Sequence, residues 1–264
     1  MKRKIVAIVQ ARMSSQRLPG KVLLPLAGDC ALGALFKRLS FSESISEVVL
    51  ATSGDSTDDE LEYWALQRNI RCFRGPLEDV LERFRLIAHE MCPDLLLRIT
   101  GDCPLIDAAL IDRVITGHIR LSPELTATNN ENGFPRGLDV EVFEPELLEK
   151  ISAEHPSRED REHVTLHAYH YYQGYKISIY QPHPTCRAFH SLRLCLDTPE
   201  DYRRIEAIFE HFLPRIDFSL IDILKYAESN SILLENQARQ KVTLDFDAIG
   251  SYYPELEIDD SMKY

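Results

Sequence analysis

The sequence has no apolar run long enough to cross a membrane and no closely spaced pair of cysteines. A membrane-spanning helix needs roughly 18 apolar residues, and the basic start, Met1 to Lys4, leads into a short strand-like run instead of a signal-peptide core. The six cysteines include no Cys-x-x-Cys pair, which argues against a zinc knuckle or a dithiol redox motif and favours buried thiols. We therefore expect a cytoplasmic protein that does not contact membranes.

Positive charge is scarce. The chain has 30 Lys and Arg against 42 Asp and Glu, a formal net charge of -12, so most of its surface repels nucleic acids and anionic lipids. Against this background Arg12, Arg17 and Lys21 cluster in one stretch, QARMSSQRLPGK, from Gln10 to Lys21. This cluster predicts a small anionic ligand and no nucleic-acid partner.

The basic stretch lacks the glycines of the familiar phosphate-binding loops. It has neither the Walker pattern, Gly-x-x-x-x-Gly-Lys-Ser/Thr, nor the glycine fingerprint of dinucleotide-binding proteins. Guanidinium and ammonium groups can nevertheless neutralise a triphosphate directly. Because the stretch follows an apolar run, Ile5 to Val9, that predicts a strand buried on both faces, it lies where a strand leaves the core.

The 264 residues predict a single α/β domain, 1–264, since no linker divides the chain. Apolar strands alternate with helices in the first half of the chain. The strands are predicted from Glu47 to Thr52, at 70–75 and at 95–100; one helix is predicted at 32–39, a second after a capping box at Thr57–Glu60, and a third at 80–91. This βαβα order predicts a mainly parallel sheet with helices on both faces.

The second half of the chain predicts a mixed sheet. The stretches 137–143, 175–181 and 191–197 alternate apolar and polar residues, as half-exposed or antiparallel strands do. A helix is predicted from 161 to 172, and another after Thr198, with Thr198 as cap and Pro199 in the first turn.

Polar side chains follow several of these predicted strands. Thr52 and Ser53 end one strand, Thr100 and Asp102 come at the end of another, and Asp197 ends 191–197. Ligands of open parallel sheets bind outside the carboxyl ends of the strands, and Mg²⁺ prefers one or two carboxylates plus phosphate oxygens. Loop cations, two acids and magnesium together indicate phosphoryl or nucleotidyl transfer.

Four stretches carry a family resemblance: IVQARMSSQRLPGKVLLPLAG, RITGDCPLID, GLDVE and LDTPEDY. They resemble the signature sequences of the CMP-sugar synthetases (3-deoxy-manno-octulosonate and acylneuraminate cytidylyltransferases), and most of all the spore-coat polysaccharide cytidylyltransferase-like proteins. The resemblance runs from Ile5 to Tyr202. It implies a three-layer, Rossmann-like nucleotidyltransferase fold.

The resemblance also implies roles for individual residues. Phosphate binding and catalysis fall to Arg12, Arg17 and Lys21, the nucleotide site to Ala11, Thr52, Ser53 and Thr100, the magnesium ion to Asp102 and Asp197, and the acceptor sugar to Arg136 and Asp139. An acidic acceptor needs a cation, for which Arg136 and Arg187 are both candidates. Where the octulosonate enzymes have Gln, this chain has Thr100, so the resemblance leaves open whether the substrate is CTP or another nucleoside triphosphate.

The implied reaction transfers CMP from CTP to an acidic sugar, with release of pyrophosphate, for polysaccharide synthesis. The alternatives are a different nucleoside triphosphate, a non-sugar acceptor such as a phosphonate, or a nucleotide-binding module without turnover. The resemblance further implies a homodimer formed through a region at about 130–190. His163, His167 and His170 could bind a metal, but HxxxH without the zincin glutamate favours a hydrogen-bonded helix face.

Overall fold

A seven-stranded sheet forms the centre of the computed structural model, which describes residues 3–230. The strands of this part of the chain are β1 (Ile5–Gln10), β2 (Pro25–Leu26), β3 (Asp29–Cys30), β4 (Glu47–Ser53), β5 (Cys72–Gly75), β6 (Leu95–Thr100), β7 (Leu125–Thr128), β8 (Val140–Phe143) and β9 (Ile177–Ile179). The order in the sheet is β5-β4-β1-β6-β8-β7-β9, and β2 pairs with β3 separately. Only β8 runs antiparallel to its neighbours in the seven-stranded sheet, so the predicted mixed, mainly parallel sheet is confirmed.

Helices cover both faces of this sheet and complete three layers. They are α1 (Ala31–Leu39), α2 (Asp59–Leu66), α3 (Val80–Met91), α4 (Ala108–Leu121), α5 (Pro145–Ala153), α6 (Arg158–His163), α7 (Leu166–His170), α8 (Pro184–Arg187), α9 (Pro199–Phe212) and α10 (Leu220–Ser229). None of the helices within residues 3–230 has the length and apolar character that crossing a bilayer requires.

Strand β1 contributes to both halves of the core, as its sequence predicts. Ile5, Ala7 and Val9 pack in one apolar cluster, which includes side chains of α1, α4 and α9. Val6 and Ile8 pack in the other, with side chains of α3 and α5. The strand is therefore fixed from two sides, and the loop that follows it starts from a rigid base.

Three predictions about the second half are wrong. The stretch 191–197 forms no strand: it makes one parallel bridge, from Arg193 to Arg136. Strand β9 pairs in parallel with β7 and is fully buried, not half-exposed. The helix predicted from 161 to 172 is divided into α6 and α7, because Val164 adopts a φ of 61° and breaks the helical hydrogen-bond ladder.

The capping box predicted at Thr57–Glu60 is also wrong. Helix α2 begins after Asp58, whose side chain makes no capping bond to it. The Asp58 carboxylate is fully buried and instead accepts hydrogen bonds from the amides of Met13 and Ser53. Tertiary contacts therefore take precedence over the local capping pattern. The Thr198 cap of α9 is confirmed as a capping box with Asp201.

The predicted burial of the cysteines holds for four of the six. Cys30, Cys103, Cys186 and Cys195 are buried, Cys72 is half-buried, and Cys92 is exposed; all six are free thiols. The single domain predicted for 1–264 includes residues 231–264, which lie outside the described residues, so this boundary stays a prediction.

Arg38 connects α1 to the chain segment that follows β6. Its side chain is 3% exposed and donates to the carbonyls of Leu105 and Ile106 and to those of Ile216 and Phe218. The guanidinium also lies 4.3 Å from the ring centroid of Phe218. One side chain thus supplies hydrogen-bond donors to four backbone oxygens. Two of these oxygens belong to the segment that continues the turn after β6, and two belong to the segment before α10.

We expect Arg38→Met to lower the free energy of unfolding by about 3 kcal/mol or more, because buried carbonyl groups lose their hydrogen-bond donors. Urea unfolding followed by circular dichroism measures this change. The control is Lys37→Met at the exposed neighbouring position, with an expected change within about 0.5 kcal/mol. Equal effects of the two substitutions would contradict the structural role of Arg38.

Candidate active site

The basic loop, Gln10 to Lys21, leaves the carboxyl end of β1 and folds back on itself. Its backbone is held by bonds from the Ala11 amide to the Ala51 carbonyl (3.1 Å) and from the Met13 amide to the Asp58 carboxylate (2.7 Å). Gly20 has a φ of 68°, in the left-handed region that favours glycine, and Lys21 begins a 3₁₀ turn. The loop therefore returns Lys21 to the edge of the sheet.

Lys21 joins the two predicted metal ligands. Its Nζ lies 2.6 Å from Asp102 Oδ2 and 2.9 Å from Asp197 Oδ1. Three guanidinium groups reach Asp197 Oδ2 as well, with Arg17 Nη2 at 3.0 Å, Arg193 Nη2 at 3.4 Å and Arg136 Nη2 at 3.5 Å. The structure therefore confirms that cations and acids predicted at this edge of the sheet lie within hydrogen-bonding or ion-pair distance of one another.

Backbone contacts place the two carboxylates side by side. Asp102 lies in the turn after β6, and its carbonyl accepts from the Leu196 amide at 2.7 Å. Asp197 comes directly before the Thr198 cap of α9, and its amide donates to Asp201 Oδ2 at 3.2 Å. Although 191–197 is not a strand, its contacts with the β6 turn bring Asp197 to the same edge of the sheet.

Electrostatics stabilise the charged forms of this cluster. Burial disfavours the charge on both Lys21 and Asp197, but their hydrogen bonds and opposite charges outweigh it. The pKa of Lys21 is therefore raised and the pKa of Asp197 is lowered. Asp197 is an ionised carboxylate at neutral pH although its side chain is only 5% exposed.

Two thiols lie next to the carboxylates. Cys103 Sγ is 3.7 Å from Asp102 Oδ1, and Cys195 Sγ is 3.7 Å from Asp197 Oδ2. Burial raises the pKa of Cys103 well above its ordinary value and that of Cys195 to about 12, so both remain thiols at neutral pH. The charged donors are carboxylate oxygens, which suit a hard divalent cation such as Mg²⁺ or Mn²⁺.

The cluster lies where two cavities meet. The first, of about 520 Å³, is lined by seven of the predicted site residues: Ala11, Arg12, Arg17, Lys21, Thr100, Asp102 and Asp197. The second, of about 610 Å³, is lined by Arg136 and Asp139. Arg17, Thr100, Asp102 and Asp197 line both. Both volumes are in the range of small-molecule sites, and a group bound at the shared wall is accessible from both cavities.

The structure does not bring Thr52 and Ser53 to either cavity. Both side chains are fully buried, and the Ser53 hydroxyl donates to Asp58. They lie under the base of the loop, and this position does not support the predicted direct contact with a nucleotide. Arg12, in contrast, lines the first cavity and has only a half-exposed ion pair, with Glu162 Oε1 at 3.4 Å.

The structure distinguishes between the two arginines that are candidates for binding an acidic acceptor. Arg136 lines the second cavity. Arg187 is not among its lining residues: it donates to Gln181, and its side chain packs over Gly133, where an added Cβ would lie 2.8 Å from Arg187 Cγ. Asp139 faces the second cavity beside Arg136; burial raises its pKa, against the opposing effect of a hydrogen bond from the Gly137 amide.

Sequence reasoning missed Arg83, which lines the first cavity. It lies on α3 three residues after Val80 and four before Ile87, both of which are buried core positions. An arginine on the apolar face of a helix is the signal that could have identified it, since Arg is seldom fully buried unless it is paired.

His163 also lines both cavities. It is the last residue of α6, and the Thr165 amide donates to its carbonyl at 2.7 Å, a γ-turn centred on Val164. A positive φ is strained for a β-branched residue. The turn is held by Thr165 Oγ1, which donates to Glu141 Oε1 at 2.7 Å, while Glu141 pairs with Arg98 at 2.8 Å. This strained turn positions the imidazole at the shared wall.

The other two histidines of the segment make hydrogen bonds to carboxylates. His167 contacts Glu154 at 2.9 Å and Asp160 at 3.3 Å, and His170 contacts Asp160 at 2.9 Å. Among the described residues, the only group of three with metal-ligand spacing is Cys195, Asp197 and Asp201. The hydrogen-bonded helix face is therefore confirmed for His167 and His170.

Comparison with known proteins identifies the family. The family described as "Cytidylyltransferase" matches residues 6–239. The spore coat polysaccharide biosynthesis protein SpsF of Bacillus subtilis is 34% identical over 231 residues, 86% of this chain and 95% of that protein. A cytidylyltransferase structure from Leptospira borgpetersenii superposes with a TM-score of 0.84 at 31% identity, over 90% of this chain and 99% of the other.

A more distant structure has the same fold. CMP:2-keto-3-deoxy-manno-octonic acid synthetase, solved in complex with CTP, matches 80% of this chain and 100% of its own, with a TM-score of 0.60 and 16% identity. The family match, the SpsF relative and these two structures agree with one another and with the site geometry. This chain belongs to the cytidylyltransferase family and is a nucleotidyltransferase enzyme.

Proposed function

We propose that this enzyme transfers CMP from CTP to an acidic sugar in a Mg²⁺-dependent reaction that releases pyrophosphate. The observation that carries the proposal is the position of Asp102 and Asp197 on the wall that two cavities share, where Lys21 bridges them from the side of the first cavity. A transfer reaction needs one site for the donor and one for the acceptor, with the reacting phosphorus between them.

In this proposal the first cavity holds CTP and the second holds the acceptor. The cations of the basic loop, Arg12, Arg17 and Lys21, bind the phosphates, and Ala11 and Thr100 lie where the loop meets the sheet, on the nucleoside side. An acceptor hydroxyl in the second cavity attacks the α-phosphorus, a new ester bond to CMP forms, and the bond to pyrophosphate breaks. The loop cations stabilise the negative charge that moves to the leaving group.

Asp102 and Asp197 are the residues that would hold the divalent cation. Their oxygens already share a cation, the Lys21 ammonium, at 2.6 and 2.9 Å, so the donor set fits a small positive ion. A bound Mg²⁺ supplies charge neutralisation and orientation of the phosphate oxygens. A divalent cation would compete with the Lys21 ammonium for these carboxylates, and Lys21 would then contact the phosphates.

The second cavity supports an acceptor with a carboxylate and several hydroxyl groups. Its Arg98 is already paired with Glu141, whereas the Arg136 side chain is 49% exposed and lies 3.5 Å from Asp197. Arg136 can therefore turn to a carboxylate of the acceptor, and Asp139 can accept hydrogen bonds from hydroxyl groups. This arrangement favours an acidic sugar over a neutral one.

We expect calorimetric titration with Mg²⁺ to show tighter binding of CTP than of UTP, GTP or ATP. Asp102→Asn should weaken CTP binding by at least about tenfold, because a metal ligand is lost. The matched control is Asp59→Asn, at an exposed residue that pairs with Arg74, for which no change is expected. Equal binding of all four nucleotides would contradict the CTP preference, and failure of the unmodified protein to bind any nucleotide would contradict the proposed function.

Lys21→Met should raise the pKa of Asp197, because the buried carboxylate loses the hydrogen bond and the nearest positive charge. In the unmodified protein the pKa of Asp197 is lowered, so its contribution to stability is present above the unfolded-state pKa and is lost as the pH falls through the folded-state pKa. A ¹³C NMR titration of the aspartate carboxyl carbons, assigned with Asp197→Asn, measures the shift. An unchanged pKa in the variant would contradict the central role of Lys21.

Arg136→Gln should raise the KM for a carboxylated sugar acceptor about tenfold or more, since a charge-assisted hydrogen bond is lost. CTP affinity should change little. Pyrophosphate release with 3-deoxy-manno-octulosonate, N-acetylneuraminate, neutral sugars and phosphonates as acceptors tests both points, with Arg187→Gln as the control arginine outside the cavity. Turnover of neutral sugars or phosphonates only would contradict the acidic acceptor, and CTP binding without turnover of any acceptor would indicate a nucleotide-binding module.

A further inference from the structure

Arg83 is a buried cation that forms no direct ion pair within residues 3–230. Its side chain is 5% exposed, and no carboxylate oxygen of residues 3–230 forms an ion pair with it. Its only recorded hydrogen bond runs from Nη2 to the Leu77 carbonyl at 3.5 Å, and the buried Nε has no partner in the described chain. Arg83 nevertheless is one of the residues that line the first cavity.

Other arginines of the protein are satisfied internally. Arg38 is as deeply buried and donates to four carbonyl groups, and Arg85, two residues after Arg83 on α3, pairs with Glu82 and Glu149. A buried charge without such partners is expensive. Arg83 therefore lacks compensation that the fold provides elsewhere, and the missing partner can enter through the cavity.

The nearest acids are already engaged. Asp58 accepts from the amides of Met13 and Ser53, and Asp79 accepts from Arg161 and caps α3. Burial lowers the pKa of Arg83 against the opposing charges of Asp58 and Asp79, and the positive charge of Arg12 contributes in the same direction as burial. Two guanidinium groups thus repel each other at one cavity, which an anion between them would relieve.

The aliphatic part of the Arg83 side chain packs over Gly75, the last residue of β5. A Cβ at this glycine would lie 2.5 Å from Arg83 Cγ and 3.4 Å from its Cδ, so a larger residue would displace the side chain. The missing side chain at Gly75 leaves the space that the aliphatic part of Arg83 occupies. Because Arg83 is buried there, it has less conformational entropy to lose when it binds a ligand.

We propose that Arg83 is a second phosphate-binding arginine, which together with Arg12 binds the pyrophosphate portion of the nucleoside triphosphate. The inference rests on the proposed function in taking the first cavity as the nucleotide site. A phosphate oxygen supplies both the hydrogen-bond acceptor and the negative charge that Arg83 lacks, whereas a neutral base supplies only the acceptor. The residue therefore discriminates triphosphate from monophosphate.

The test measures binding of CTP, CMP and inorganic pyrophosphate, each with Mg²⁺, by calorimetry on the full chain and on Arg83→Met. We expect the variant to bind CTP and pyrophosphate at least about tenfold more weakly, with the CMP affinity changed by less than about threefold. The melting temperature of the ligand-free variant should equal or exceed that of the unmodified protein, because an unpaired buried charge is removed. Arg83→Lys, which keeps the charge but not the fork, should bind CTP with intermediate affinity.

The matched control is Arg85→Met on the same helix, which should leave all three affinities unchanged. Unchanged binding of CTP and pyrophosphate by Arg83→Met would overturn the inference about Arg83 and leave the proposed function intact. A lower melting temperature together with equal losses for CTP and CMP would overturn it in favour of a structural role. Failure of the unmodified protein to bind CTP and pyrophosphate would instead contradict the proposed function.

Discussion

The bridge from Lys21 to Asp102 and Asp197 is the interaction on which the rest of the site depends. It joins three segments that are distant in sequence: the basic loop, the turn after β6 and the segment before α9. The backbone of each aspartate is held by its own hydrogen bond, and the ammonium bridges the two carboxylates. It neutralises two like charges that would otherwise repel each other across a partly buried site.

Asp58 has the corresponding structural role beneath the loop. Its fully buried carboxylate accepts from the Met13 amide of the loop and from the Ser53 amide at the end of β4. The loop is therefore tied to the sheet on one side by Asp58 and on the other by Lys21. Arg12, next to the Met13 attachment, and Arg17, between the two attachments, both line the first cavity. Rigid attachment of the backbone with half-exposed cations beside it suits a loop that binds phosphates.

Local sequence patterns predicted the first half of the fold well. The strands β1, β4 and β6 and the helix α3 are long, periodic and apolar, and in such segments local preference and tertiary burial agree. The rule for parallel sheets predicted the positions of Lys21 and Asp102, whereas Asp197 reaches the same edge through the contact of its segment with the β6 turn and not as the end of a strand. The burial of Thr52 and Ser53 gives their predicted contact with a nucleotide no support, because ending a strand at the correct edge does not determine whether a side chain faces the cavity or the core.

The remaining errors arise where long-range contacts override local patterns. Alternation at 191–197 is real, but one bridge to Arg136 and the contact with the β6 turn replace a ladder. The break at Val164 cannot be read from helix periodicity, since a valine is an improbable residue for a positive φ and Glu141, distant in sequence, holds the turn. Arg83 was missed for a related reason: its position on an apolar face indicates burial but not what compensates its charge.

The overall charge of the protein explains why these local contacts have to be strong. A net charge of -12 repels a free nucleoside triphosphate, although salt screens this repulsion beyond about 8 Å. A metal-bound nucleotide carries less negative charge and is repelled less. Binding must then come from short-range contacts with cations whose partners inside the protein are incomplete: Arg12 with one half-exposed ion pair and Arg83 with none in the described chain. The proposed CTP site therefore combines general repulsion of polyanions with local attraction for one small anion, a combination that would favour a metal-bound nucleotide over a nucleic acid.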